Sequence, residues 1–214
     1  MKPQTIVLAL ALSAAGSAQA GIVSAFSENF EGTLAAWTDR NPSNPEAAIV
    51  IDPLRAGNHV LSFNRLGSAG SIYTTDLITS SGNFTVSFEY LGRLGQGGAP
   101  NDLGGFFGIS QGLPGTHYWV AGTGSYPAPI DLIDDGTWHS YTLTFASPVG
   151  SLVHLMYEDY AGSGGVAGDV YFDNIRFNDQ NVPPAPFQAV PEPLSTALFG
   201  VGLAALGFSR RRKA

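Results

Sequence analysis

Hydrophobic and polar residues alternate along the middle of this chain with the period of a β-strand. The alternation is clearest in four stretches: Phe84–Tyr90, Tyr141–Phe145, Val153–Tyr157 and Tyr171–Phe177. Successive side chains of a strand point to opposite faces, so each stretch is predicted to be a strand with one buried face. Shorter apolar runs predict further strands at Phe26–Phe30, Ala48–Ile51, His59–Phe63, Ser71–Thr75, Gly105–Ile109 and Tyr118–Ala121.

Turn-forming residues separate these strands. The chain has 27 Gly and 14 Pro, and no 3.6-residue pattern of helix length appears in its centre. Many short strands joined by such turns predict an all-β sandwich, with Trp37 and Trp138 in its core. Leu94–Gly104 and Gly162–Gly168 are predicted to be loops between strands.

Residues 1–20 are predicted to be a secretory signal peptide. Lys2 gives a positive start, Ile6–Leu12 is apolar, and Ala18 and Ala20 form a small-x-small cleavage site, so the mature chain is expected to begin at Gly21. The β-sandwich domain is assigned to residues 21–180. A Pro-rich linker follows at 181–189, which predicts an extended, stiff segment.

The C-terminus, residues 190–214, has three features in order. A Val-Pro-Glu-Pro sequence precedes a 15-residue apolar stretch, and a basic cluster follows. Prolines disfavour the helix interior, so a transmembrane helix is predicted over 194–208, spanning roughly 22 Å. The basic cluster would keep its end in the cytoplasm. The residues of the motif are Val190, Pro191, Glu192, Pro193, Arg210, Arg211 and Arg212.

This tail resembles the PEP-CTERM sorting signal of Gram-negative bacteria, which is also described as an ice-binding-protein C-terminal motif. The resemblance implies export by the secretion machinery, an intermediate held in the inner membrane, and processing by an exosortase, a membrane transpeptidase-like enzyme. The final location would be the cell envelope or the extracellular matrix. An ordinary membrane anchor is the alternative for these residues.

The net charge of the central domain limits the classes of partner that it can bind. The domain contains five Arg and 16 of the 17 acids of the chain, which gives it a net charge of −11. Such a domain repels nucleic acid and anionic lipid but is compatible with neutral glycans and divalent cations. Solubility alone would also explain the charge. The chain has no Cys, so disulfides do not stabilise it.

Three segments of the domain resemble parts of carbohydrate-binding modules with a galactose-binding-like jelly-roll fold. Phe26–Gly32 resembles their opening strand, Gly136–Phe145 their penultimate region, and Val170–Phe177 their closing strand. The resemblance implies a jelly-roll β-sandwich. The same fold occurs in adhesion and protein-binding domains, so fold does not settle function.

A structural Ca²⁺ often lies between the first and last strands of such modules. Simple alternation places Asp173 on the face of Ile175 and Phe177, where an unpaired carboxylate is costly. With Glu28 and Glu31 of the opening strand, Asp173 is therefore a candidate calcium ligand. The alternative is an Asp173 that accepts hydrogen bonds at a strand edge.

Aromatic residues in or near the Gly- and Pro-rich loops are candidates for glycan binding. Aromatic rings stack on sugars, and loops on a rigid sandwich commonly carry binding sites. The alternative is that these side chains fill the core. The candidates are Tyr118, Trp119, Tyr126 and Tyr160.

No catalytic residues are predicted. The four His lack metal-ligand spacing, and Glu89, Glu158 and Asp159 could be paired for glycoside hydrolysis only if folding brings them together. The leading hypothesis is therefore a sorted envelope protein that associates with exopolysaccharide without catalysis. The alternatives are a structural or adhesive protein-binding domain and a small glycan-active enzyme.

Overall fold

The computed structural model of this chain describes residues 20–93, 102–124 and 126–179. These residues form fourteen strands and a short 3-10 helix at Leu34–Ala36, which confirms the predicted all-β fold. The strands are β1 Ile22–Val23, β2 Ala25–Glu28, β3 Trp37–Asp39, β4 Ala47–Ile51, β5 His59–Phe63, β6 Ile72–Thr74, β7 Leu77–Thr79, β8 Phe84–Gly92, β9 Gly105–Ser110, β10 His117–Gly122, β11 Ile130–Asp131, β12 His139–Phe145, β13 Leu152–Asp159 and β14 Val170–Asp179.

The strands form two sheets. One has eight strands in the order β1-β7-β13-β9-β10-β11, with β6 also paired to β13 and β3 to β6. The other has six strands in the order β12-β8-β14-β5-β4, with β2 also paired to β14. The described strands alternate repeatedly between the two sheets, with changes after β1, β2, β3, β5, β7, β8, β11, β12 and β13, as in a jelly-roll β-sandwich.

Aromatic side chains fill the core between the two sheets. Phe172 of β14 lies near its middle, with ring centroids 6.3 Å from Phe63, 5.9 Å from Phe88, 5.1 Å from Tyr90 and 4.7 Å from Tyr157. These are ordinary distances for favourable aromatic pairs. The alternating residues of β8 thus bury one face of that strand, as its sequence predicts, whereas β13 is buried on both faces.

A β-bulge interrupts β14 and reverses its alternation. The register with β8 shifts between Asp173 and Arg176, and Asn174 takes a φ of 50°. Phe172 is therefore in the core together with Ile175, although the two are three residues apart. The prediction that Asp173 shares a face with Ile175 is wrong, because the extra residue turns Asp173 to the outer face of the six-stranded sheet.

The predicted signal peptide up to residue 19, most of the loop 94–104, the linker at 181–189 and the tail with its helix 194–208 lie outside the described residues. Contacts divide the chain into two units, Met1–Val182 and Pro183–Ala214. Within the described ranges, no helix is long and apolar enough to cross a membrane.

Candidate functional site

A second group of apolar side chains lies on the outer face of the eight-stranded sheet. Along β13, Leu155 and Tyr157 belong to the core between the sheets, whereas Met156 belongs to this outer group. Because successive side chains of a strand point to opposite faces, the two groups are on opposite sides of the sheet. We call the outer group the outer aromatic cluster; its buried members are Tyr73, Phe106, Trp119 and Met156.

Two tyrosines form the solvent-facing rim of the outer aromatic cluster. Tyr126 is 44% exposed, and Tyr160 is half-buried. Their ring centroids lie 6.2 Å and 5.7 Å from Phe106 and 5.9 Å from each other. The three rings meet edge to face, so Phe106 supports the two rings that solvent can reach.

Glycines on neighbouring strands make room for the large rings of the cluster. Trp119 is opposite Gly108, and Phe106 is opposite Gly122. A Cβ on Gly122 would lie 2.1 Å from the Phe106 ring, and one on Gly108 would lie 2.8 Å from Trp119 Cε3. The rings can therefore lie flat across the strands only because both opposite positions lack a side chain.

A buried carboxylate adjoins the cluster. Glu158 of β13 is opposite Phe106 of β9 and is 1% exposed. Its Oε2 accepts a hydrogen bond of 2.6 Å from Gly70 N. Burial raises the pKa of Glu158 to about 7, although the Gly70 bond and the charge of Arg40 oppose the shift. This side of the sheet therefore becomes more negative as the pH rises through neutrality.

The structure brings together three of the four predicted glycan-binding residues. Trp119, Tyr126 and Tyr160 all belong to the outer aromatic cluster, although Trp119 is only 7% exposed. Tyr118 packs against the core between the sheets, on the other face of β10. Phe106 was not predicted, because both faces of β9 are apolar and alternation cannot assign it to one of them.

The acids predicted on the opening strand already have protein partners. Glu28 Oε1 accepts a hydrogen bond of 2.9 Å from Phe30 N, and its Oε2 accepts one of 3.2 Å from Trp37 Nε1. Glu31 accepts from His59 N and lies 2.9 Å from the ring Nδ1 of the same residue. These hydrogen bonds lower the pKa of Glu31.

Asp173 is fully buried on the outer face of the six-stranded sheet. Its Oδ1 accepts a hydrogen bond of 2.7 Å from Asn174 N, and its Oδ2 accepts one of 3.0 Å from Asn58 Nδ2. Burial raises its pKa to about 6, whereas the hydrogen bond from Asn58 lowers it. Asp173 therefore acts in the structure as an acceptor for amide donors.

An ion pair covers the same face beside Asp173. Arg55 donates to both carboxylate oxygens of Glu89, at 2.6 and 3.2 Å. Its guanidinium lies 4.7 Å from the ring centroid of Trp138, a cation–π arrangement. Trp138 Nε1 donates to Asp52 Oδ1 at 3.2 Å. The prediction that Trp138 lies in the core is therefore wrong, whereas Trp37 does lie in the core.

The three predicted acids do not fit a shared calcium site. Among the described residues, no group of three or more His, Cys, Asp or Glu is placed to hold a metal ion. Each oxygen of Asp173 and of Glu28 accepts from a nitrogen donor. Glu31 Oε1 accepts from His59 N, and its Oε2 lies against His59 Nδ1. These N–H groups point at the lone pairs that a cation would need. Calcium binding by this protein stays a prediction.

The carboxylates considered for hydrolysis are not brought into one site. Glu89 lies on the outer face of the six-stranded sheet, paired with Arg55. Glu158 lies on the outer face of the other sheet, and Asp159 is fully buried on the side of Tyr157. No two of these three acids therefore flank a common cleft.

Comparison with protein families matches the tail. The model of the PEP-CTERM protein-sorting motif matches residues 189–213, which confirms the predicted sorting signal. The motif indicates an exported protein that is processed at the membrane. No curated protein matches the chain.

Comparison with solved structures finds carbohydrate-binding modules and an adhesin domain. The CBM22-1 xylan-binding domain of Xyn10C from Paenibacillus barcinonensis is 17% identical, with 76% of this chain and 97% of that chain covered and a TM-score of 0.44. The C-terminal family 22 module of Xyn10B from Clostridium thermocellum is 13% identical, with coverages of 75% and 95% and a TM-score of 0.45.

The cleaved adhesin domain of Lys-gingipain from Porphyromonas gingivalis is also similar. It is 14% identical, with 73% of this chain and 99% of that chain covered and a TM-score of 0.46. With TM-scores below 0.5, these similarities carry no argument about a ligand, and the fold follows from the strand order described above.

Proposed function

We propose that the β-sandwich binds polysaccharide through the outer aromatic cluster, without catalysis. The observation that supports this proposal is the pair of rim rings, Tyr126 and Tyr160, held 5.9 Å apart over Phe106. Tyrosine suits a half-wet site because its ring is apolar and its hydroxyl can form hydrogen bonds. A rigid sheet beneath the rings would keep them in place before a sugar arrives.

Charge favours a neutral glycan over an anionic one. The domain carries five Arg against 16 acids, and the buried Glu158 lies next to Phe106 beneath the rim. This face would repel an anionic polysaccharide electrostatically. The repulsion is stronger at low salt, because fewer ions screen it, so binding would be weakest there. A neutral exopolysaccharide is therefore the proposed ligand class.

The sorting tail supplies the proposed cellular context. We infer that the secretion machinery exports the chain and that an exosortase recognises the Pro191–Pro193 motif. The chain would be held in the inner membrane until it is processed. It would then reach the cell envelope or extracellular matrix of a Gram-negative bacterium, where exopolysaccharide is present.

Affinity electrophoresis tests the glycan proposal. The full chain in detergent is run through gels that contain hydroxyethyl cellulose, xylan or alginate. Retardation is expected in at least one neutral polysaccharide and not in alginate. Tyr126→Ala and Tyr160→Ala should each weaken binding by about three- to tenfold, as expected for the loss of one stacked ring. Tyr126→Phe should retain most of the affinity, since the ring remains.

Tyr171→Ala is the matched control, because Tyr171 is a half-buried tyrosine of β14, away from the outer aromatic cluster. Its binding should equal that of the unchanged protein. An unretarded chain in every neutral gel would contradict the proposal and favour the adhesive protein-binding alternative. Equal losses in Tyr171→Ala and the rim variants would show that binding does not use this face.

A further inference from the structure

Two buried aspartates flank the loop 160–168, which connects β13 to β14. Asp159 ends β13 and is 0% exposed, and Asp169 immediately precedes β14 and is 4% exposed. Asp159 Oδ2 accepts a hydrogen bond of 3.1 Å from Gly168 N. Asp169 Oδ2 accepts one of 2.8 Å from Val166 N. Both carboxylates therefore hold the same segment, residues 166–168.

The second oxygen of each carboxylate has no partner. Asp159 Oδ1 and Asp169 Oδ1 are both buried, and neither forms a hydrogen bond with any described residue. A buried polar atom without a hydrogen-bond partner destabilises the folded chain, and more so when it is charged. Two such atoms on neighbouring acids indicate that something outside the protein chain satisfies them.

Further oxygens surround this end of the sandwich. Asp134 lies close by: its Oδ1 accepts a hydrogen bond of 2.6 Å from the Tyr90 hydroxyl. Burial raises the pKa of Tyr90, and the charge of its hydrogen-bond partner Asp134, followed by those of Asp159 and Asp169, raises it further.

A backbone carbonyl and a glycine lie beside Asp169. A Cβ built on Gly165 would lie 2.2 Å from Leu103 O and 2.9 Å from Asp169 Oδ2. The missing side chain thus lets a backbone carbonyl and a carboxylate both pack close to the same glycine. Carboxylates mixed with carbonyls are the ligand set that Ca²⁺ prefers in proteins.

We propose that one Ca²⁺ binds at the unpartnered Oδ1 atoms of Asp159 and Asp169, with backbone oxygens and water completing its shell. This site differs from the predicted one at Glu28, Glu31 and Asp173, whose oxygens are already partnered. It has two carboxylates, which agrees with the lack of a three-acid metal group among the described residues. The ion would join the end of β13 to the start of β14 across the 160–168 loop.

Calcium binding is measured on the full chain in detergent after treatment with EGTA. Tb³⁺ should bind once per chain with luminescence sensitised by nearby tyrosine, and Ca²⁺ should displace it. Melting at pH 7.5 should shift upward in Ca²⁺, because a ligand specific to the folded state shifts the unfolding equilibrium about a hundredfold at a hundred times its Kd. Absence of both effects would overturn the proposal and leave a pair of acids that retains protons.

Two variants and one control locate the site. Asp159→Asn and Asp169→Asn should each abolish the calcium response, yet melt in EGTA at or above the temperature of the unchanged protein, because a neutral amide removes an unpaired buried charge. Asp173→Asn should keep the full response. Loss of the response in Asp173→Asn, with retention in Asp159→Asn, would assign calcium to the opening and closing strands and overturn the proposal.

Discussion

The bulge in β14 can be tested at a single residue. Asn174 has a φ of 50°, in the left-handed region where Gly is favoured and Asn is tolerated. Its Nδ2 donates to Glu89 Oε2 at 2.8 Å. Asn174→Gly keeps the backbone conformation and loses this hydrogen bond, at a cost of about 1 to 1.5 kcal/mol because Glu89 is partly exposed. Asn174→Ala loses the same bond and also places a Cβ at positive φ, which adds about 1 to 2 kcal/mol.

The free energy of unfolding should therefore decrease in the order Asn174, Asn174→Gly, Asn174→Ala. Urea denaturation followed by tryptophan fluorescence measures it, and equal m-values would show that the comparison is valid. If residue 174 lay in a regular strand, the order of the two variants would be reversed, because Gly in a strand is less stable than Ala by about 0.5 to 1 kcal/mol.

Ser87 of β8 is the matched control, since it lies on the strand that pairs with this part of β14. Ser87→Ala should be more stable than Ser87→Gly. If Asn174→Ala also proves more stable than Asn174→Gly, residue 174 is not at positive φ. Asp173 would then return to the face of Ile175, as simple alternation predicts.

Three further outcomes are expected. Burial lowers the pKa of His154, whose Nδ1 lies 2.6 Å from Thr74 O. Below about pH 6.5 the unfolded chain therefore binds more protons than the folded chain, and stability falls as the pH drops through that value. The urea midpoint of His154→Gln should fall less over the same range, and parallel pH profiles of the two proteins would contradict this. Replacing Pro191–Pro193 with Ala should leave export intact and trap uncleaved chain in the inner membrane, whereas neutral residues at Arg210–Arg212 should weaken membrane retention; normal cleavage of the first variant, seen on immunoblots, would refute the sorting role. N-terminal sequencing of exported protein should find Gly21.

The sequence predicts the long strands well because their apolar residues recur with a period of two. Alternation in β8, β12 and β13 is visible over five or more residues, which is enough to separate it from chance. The strands β1, β3, β7 and β11 have two or three residues each and leave no pattern to recognise. Tertiary pairing, not local sequence, makes these segments strands.

The faces of strands are less predictable than the strands themselves. One residue at positive φ moves Asp173 from the core side to the outer side, and alternation carries no sign of it. An Asn after an Asp is compatible with a bulge but does not require one. The same limit applies to Phe106, whose strand β9 is buried on both faces.

Aromatic residues in or near loops predict the candidate site well, because Trp119, Tyr126 and Tyr160 lie together in the folded chain. The unpartnered oxygens of Asp159 and Asp169 could not be predicted in this way. Consecutive acids such as Glu158 and Asp159 are common in exposed segments, whereas the folded chain buries both of them. Burial without a partner is a property of the folded chain, so it can be recognised only in three dimensions.

The loop 160–168 connects the two proposed sites. Tyr160 is part of the rim of the outer aromatic cluster, and Asp159 and Asp169 flank the loop. Tyr160 N donates to Gly104 O at 2.7 Å, and Ser163 Oγ donates to Tyr160 O at 2.7 Å, so the backbone beside the ring is fixed by the same loop. An ion that orders the loop raises the fraction of chains with Tyr160 in place, and apparent glycan affinity scales with that fraction.

Retardation in a neutral polysaccharide gel should therefore weaken in EGTA. Tyr126→Ala should keep this calcium dependence, whereas Tyr160→Ala should lose it; calcium dependence that persists without the Tyr160 ring would show that the ion acts on binding by another route.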